Sequence, residues 1–119
     1  MAECIFCRVG RGEFNTDFVY QDDWVVAFRD IHPVAQVHVL IIPRQHVTAV
    51  WELDQSHGFM LARMMVAANE VARATGIEES GFRLVFNTGP DAGQSVDHLH
   101  MHVLGGQRLG WPPFPPQEA

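Results

Sequence analysis

The sequence predicts an α+β fold built on an antiparallel sheet. Strand-like segments come in runs, three before the one long helical segment and two after it, instead of alternating with helices. Residues 37 to 42 are nearly all apolar, as in a central strand, with only His38 interrupting the run. Residues 98 to 104, His-Leu-His-Met-His-Val-Leu, alternate with period two. On a strand, that period sends His98, His100 and His102 to one face and Leu99, Met101 and Val103 to the core side.

Each element has its own signal. Cys4 to Arg11 reads as a short helix, ended by Gly10 and Gly12. Phe18 to Gln21 and Val25 to Arg29 form a hairpin around Asp22-Asp23. Val37 to Ile42 is the central strand, closed by Pro43. After a short segment at Trp51, Asp54 is the expected N-cap of the long helix, Gln55 to Thr75. Leu61, Met64, Met65, Ala68, Val71 and Ala72 make its core face, and Gly76 ends it as a C′ residue. Phe82 to Thr88 and His100 to Gly105 are the last two strands. Residues 111 to 116 carry four prolines in five positions. That tail is extended and exposed unless it docks on a partner subunit.

Composition limits the function. The 119 residues make one domain, 1–110, followed by the proline-rich tail 111–119. Eight basic against 14 acidic residues, a net charge of −6, disfavour binding to a nucleic-acid backbone. A single nucleotide remains compatible with that charge. No segment approaches the ~18 apolar residues of a membrane span. The N-terminus has no signal-peptide pattern, so the expected compartment is the cytoplasm, where Cys4 and Cys7 stay reduced.

Three histidines in five residues can ligate a metal, or can supply a nucleophile flanked by two supporting imidazoles. The preceding residues, Asn87 to Val96, favour the second. Their Gly and Pro content lets backbone approach a ligand, and successive N–H groups there can form an anion nest. Ser95 adds a hydroxyl and Asn87 an amide. A loop of this kind beside a histidine row is a phosphate site with a nucleophile next to it.

This run resembles the histidine triad (HIT) family, whose hallmark is His-φ-His-φ-His-φ-φ with φ apolar. Ala27 to Ile31, His38 through Pro43 to His46, Asn87 to Ser95, and Gly105-Gly106 with Trp111-Pro112-Pro113 are similar to its nucleotide-binding (HINT) branch. The resemblance spans Cys4 to Pro113. It implies a HIT-like fold, a five-stranded antiparallel sheet with one long and one short helix. It also implies a homodimer whose sheets join into ten strands, with the tail near the partner's site.

By the same resemblance, a purine nucleotide (AMP- or GMP-like) is attacked at its α-phosphate by His100, and water hydrolyses the resulting nucleotidyl-histidine. His102 donates to a phosphate oxygen, and His98 orients its neighbours or binds a metal. Ser95 meets the phosphate or leaving group, and Asp30 takes the ribose hydroxyls. Ile5, Phe6, Phe28 and Ile31 wall the base. Asn87, Gly93, Gln94, Val96 and Trp111 complete the nucleotide site. His38 backs the nucleophile, or is a core histidine bonded to backbone.

Asn87 stands where dinucleoside polyphosphate hydrolases of the family carry Gln. With the Trp-Pro-Pro tail, it points to cleavage of the P–N bond of nucleoside phosphoramidates. Hydrolysis or phosphorolysis of dinucleoside polyphosphates, a nucleotide-sensing adaptor, and metal-dependent hydrolysis at the triad are the alternatives. Cys4-x-x-Cys7 is by itself a weak zinc signal, because a structural site needs four ligands. Relatives with this pair complete it with the first triad histidine and an upstream one, here His98 and His46. The resemblance thus implies a structural zinc, which the chemistry does not require. Asp97 replaces an aromatic found in some relatives, and on a strand it would face away from the triad.

Overall fold

The computed structural model describes residues 4–113. The elements are helix α1 (Ile5–Gly10), strands β1 (Phe18–Gln21), β2 (Val25–Arg29) and β3 (Val37–Pro43), helix α2 (Gly58–Thr75), and strands β4 (Phe82–Phe86) and β5 (Met101–Gly105). The strands form one antiparallel sheet in the order β1-β2-β3-β5-β4. The expected α+β architecture is therefore present, and the last strand in sequence lies between β3 and β4. No helix among the described residues is long and apolar enough to cross a membrane.

Alternation along the strands divides the sheet into two faces. One buries Val25, Ala27, Val39, Ile41, Met101 and Val103 against α2. The other buries Val26, Phe28, Leu40 and Ile42 under Val9 and Phe6 of α1. The functional residues belong to this second face.

Asp22 closes the β1–β2 turn. Its Oδ1 accepts the N–H groups of Trp24 (2.7 Å) and Val25 (2.9 Å), while Arg63 of α2 donates to Oδ2 at 2.8 Å. Burial pushes this carboxyl up, but Arg63 and the two N–H groups outweigh it and hold it at about 2.

Three sequence expectations are corrected. The long helix starts at Gly58, and Asp54 instead caps a separate 3-10 turn, Gln55–His57. There its carboxylate accepts from Ser56 N–H while His57 Nδ1 accepts from Asp54 N–H. The buried stripe of α2 is Met60, Met64, Ala67, Ala68, Val71 and Ala72. Met65 is 42% exposed and Leu61 packs at the margin of the core. The run from Phe59 to Val66 is apolar on nearly every side, so periodicity alone did not select which neighbour faces the sheet. Gly76 ends the helix in the left-handed region as expected, at φ 78°.

The third correction concerns the histidine run. Its facing is as expected, since Leu99, Met101 and Val103 join the core. The strand itself starts only at Met101, so His98 and His100 precede it. Pro43 explains the boundary. The register Ile41↔Met101 would place Leu99 opposite Pro43, which has no N–H to give. Leu99 N–H turns instead to Val47 O at 2.6 Å. Asp97, expected on a strand, is exposed in the bend before the run.

Candidate active site

The register sets Leu40 of β3 opposite His102 of β5, and Val85 of β4 on its other side. His38 lies one alternation along β3 on the same face. Its Nδ1 accepts the Val34 N–H at 3.1 Å, so the proton of the neutral ring sits on Nε2. Nε2–H then donates to His102 Nδ1 at 2.8 Å, and Asp30 Oδ2 lies 3.3 Å from the same nitrogen. His102 is thereby left with its proton on Nε2, pointing outward. Asn87, just past β4, holds its side-chain amide 3.5 Å from that Nε2.

Burial keeps both rings neutral. It lowers His102 to about 4, helped by the neighbouring His100 and His38, and it lowers His38 against the pull of Asp30. Asp30, His38 and His102 lie as close together as metal ligands do. The proton on His38 Nε2 makes them a hydrogen-bond relay and not a metal site.

His100 Nδ1–H donates to the carbonyl of His98 at 2.8 Å. Its Nε2 is therefore the nitrogen with a free lone pair, as a nucleophilic imidazole requires. The Phe6 ring meets His100 edge-on, with centroids 5.3 Å apart.

A cavity of about 490 Å³ opens beside Phe6. Ile5, Phe6, Phe28 and Ile31 line it, together with Asp30, Ser95 and Val96. Val9, Phe14, Thr16 and Leu40 are further wall residues that no sequence pattern announced. A larger cleft of about 650 Å³, near Gly76 and Arg108, contains none of the expected site residues.

Two other expectations find their residues elsewhere. Gln94 does not line this cavity; its amide is bonded to backbone. Trp111 is 83% exposed and stands over the Arg83 guanidinium, while Arg83 donates to Gly110 O at 2.9 Å. The rest of the tail, 114–119, lies outside the described residues.

Cys4, Cys7, His46 and His98 converge as the resemblance implied. Cys4 Sγ is 3.3 Å from His98 Nδ1, and Cys7 Sγ is 3.3 Å from His46 Nδ1 and 3.6 Å from His98 Nδ1. Four donors at about 2.0–2.3 Å from one ion, arranged tetrahedrally, stand about 3.3–3.8 Å apart. The contacts fit that figure. His98 Nε2–H donates to Pro43 O at 2.8 Å, which leaves Nδ1 as the lone pair facing the sulfurs. The donor set thus suits a tetrahedral cation such as zinc.

The HIT domain family profile matches residues 11–109. The purine nucleoside phosphoramidase of Escherichia coli strain K12 is 47% identical over 108 residues, covering 91% of each chain. A 14 kDa zinc-binding protein of Brassica juncea is 42% identical over 113 residues, covering 93% of this chain and 99% of that one. The crystal structure of a HIT family hydrolase from Legionella pneumophila superposes with TM-score 0.90 at 40% identity, covering 94% of this chain and all of the other.

Proposed function

The chain belongs to the HIT domain family, and from that premise we propose that it hydrolyses the P–N bond of purine nucleoside 5′-phosphoramidates through His100. The observation that carries this reading is the set of ring contacts from which the two tautomers are assigned. His100 is held with a free lone pair on Nε2, and His102 with a proton on Nε2.

His100 Nε2 attacks the α-phosphorus as the bond to the amine breaks, and the departing nitrogen takes a proton from solvent, which the hydrolytic water gives back in the second step. Water then hydrolyses the nucleotidyl-imidazole, releasing the nucleoside monophosphate and restoring His100. The His102 Nε2–H and the Asn87 amide donate to the phosphate oxygens, where charge accumulates. Ser95 supplies a hydroxyl to the phosphate or the departing amine. The loop N–H groups of Ser95 and Val96 add to the anion site, while those of Gly93 and Gln94 close the loop on Pro90 O and Gly89 O. The Asp30 carboxylate accepts from the ribose hydroxyls, and the apolar walls of the cavity take the base.

Cys4, Cys7, His46 and His98 would hold a structural zinc; these ligands come from α1 and from the segments flanking β3 and β5, and the ion would take no part in the chemistry. The chain forms a homodimer. Among the described residues, the outer edge of β4 pairs with no strand and Phe59, Met65 and Val66 of α2 are exposed, which leaves both surfaces for it. Trp111 and the two prolines after it reach toward the partner's site.

The test is hydrolysis of adenosine 5′-phosphoramidate by the wild type and by His100→Ala, with and without a chelator. Release of AMP that is lost in the variant and insensitive to chelation is expected. AMP binding without turnover would favour the polyphosphate or sensor readings, and loss of activity on chelation while the fold survives would favour metal-dependent hydrolysis.

A further inference from the structure

We propose that Gln94 is the positioning residue of the phosphate loop, its side chain bracing the loop from behind without touching nucleotide. The inference rests on the functional reading above, which gives that loop its phosphate.

The Gln94 amide is fully engaged. Its Oε1 accepts the Gly89 N–H at 3.0 Å, and its Nε2 donates to Thr48 O at 2.7 Å and Val96 O at 3.1 Å. The opposite amide orientation would set NH₂ against an N–H and oxygen against two carbonyls, so the network itself identifies the atoms. These bonds join both limbs of the loop, at residues 89 and 96, to the segment that follows β3.

A second contact acts at the same place. Gly89 adopts φ 81°, ψ 177°, a conformation open essentially to glycine alone. A Cβ there would lie 2.8 Å from the Trp51 ring, which packs against the bare backbone. The Thr48–Trp51 segment therefore supports the loop through one amide and one indole.

The direction of the side chains separates the roles within the loop. Ser95 and Val96 line the nucleotide cavity. Gln94 lines a different hollow of about 250 Å³, with Thr48, Ala49, Trp51 and Asp97. An anion nest works only if its N–H groups converge before the anion arrives. The three side-chain bonds of Gln94 impose that shape in advance.

The experiment compares wild type with Gln94→Leu, which keeps the bulk and removes all three bonds. Affinities for AMP and for adenosine are measured by calorimetry, and exchange of the Gly89–Val96 amides by mass spectrometry. AMP affinity should fall by about tenfold or more, the scale of one or two lost hydrogen bonds. Adenosine affinity should stay within about twofold, since the apolar wall is untouched. The loop amides should exchange faster.

Equal weakening of both ligands, or of neither, would overturn the proposal. Wild-type protein that binds AMP no better than adenosine would overturn the phosphate reading itself. The brace is then decided by exchange alone: faster loop exchange in the variant supports it, and unchanged exchange overturns it.

Discussion

Replacing His38 by Leu separates a positioning histidine from a reacting one. The substitution keeps the volume nearly constant at a side chain only 4% exposed. It removes the acceptor of the Val34 N–H and the donor to His102 Nδ1. The Val34 N–H loses its acceptor, a cost to stability that thermal unfolding reads. His102 loses the bond that selects its tautomer, a neutral hydrogen bond worth about 1–1.5 kcal/mol net. At about 1.4 kcal/mol per decade, kcat for phosphoramidate hydrolysis should fall about tenfold. His100→Ala should instead fall to background, because no other group supplies the lone pair. The assay is steady-state release of AMP by both variants, with thermal unfolding confirming that each is folded. A His38→Leu enzyme as inactive as His100→Ala would refute the reasoning by giving His38 a chemical role. One with unchanged kcat would show that the relay does not set His102.

Acidity gives an independent check. An unfolded histidine titrates near about 6.5, while His102 is held at about 4 and His38 is also lowered. The unfolded chain therefore takes up protons that the folded chain refuses. Stability is fully present above about pH 6.5 and is lost as pH falls toward about 4. Urea midpoints measured with chelator present, to exclude metal release, should drop across that window, and a constant or rising midpoint contradicts the assignment. Purified protein should contain about one zinc per chain by elemental analysis, and Cys7→Ser should lose it. That loss should lower the thermal midpoint while AMP release persists at a temperature where the variant is folded. Gly89→Ala should cost about 1–3 kcal/mol in urea unfolding. Gly89→Ala combined with Trp51→Ala should recover part of that cost, and no recovery would mean that the ring contact is not the obstacle.

The fold was legible because its patterns are local. Alternation at Leu99, Met101 and Val103 reports the buried face directly, and Gly76 reports the end of α2 by its backbone freedom. The facing of the three histidines follows from the same alternation. Their tautomers do not, because those depend on partners remote in sequence: Val34 N–H for His38, and Pro43 O for His98. The missing N–H of Pro43 did mark the end of β3, yet its effect on the start of β5 needed the register. Phe14 and Thr16 show no periodicity, and only the folding of their segment over α1 brings them to the cavity. The family resemblance places Gln94 in the nucleotide site with its neighbours Gly93 and Ser95. Sequence position cannot show toward which side of a loop an amide points.

The placement of β5 bears on how the chain reaches its folded state. Of the five described strands it is the last to be synthesised, yet it is bonded on both sides, to β3 and to β4. Until it arrives, the β1-β2-β3 meander ends in an open edge and β4 has no partner among the strands already made. The bond it completes at His102 reaches back 64 positions to His38, and His98, just before the strand, meets Cys4 across 94 positions. Contacts of such separation form late and slow the folding of a small domain. A ribosome paused before Met101 would hold two unmatched strand edges and no assembled catalytic group. That nascent chain, more than the finished protein, is the species most exposed to aggregation.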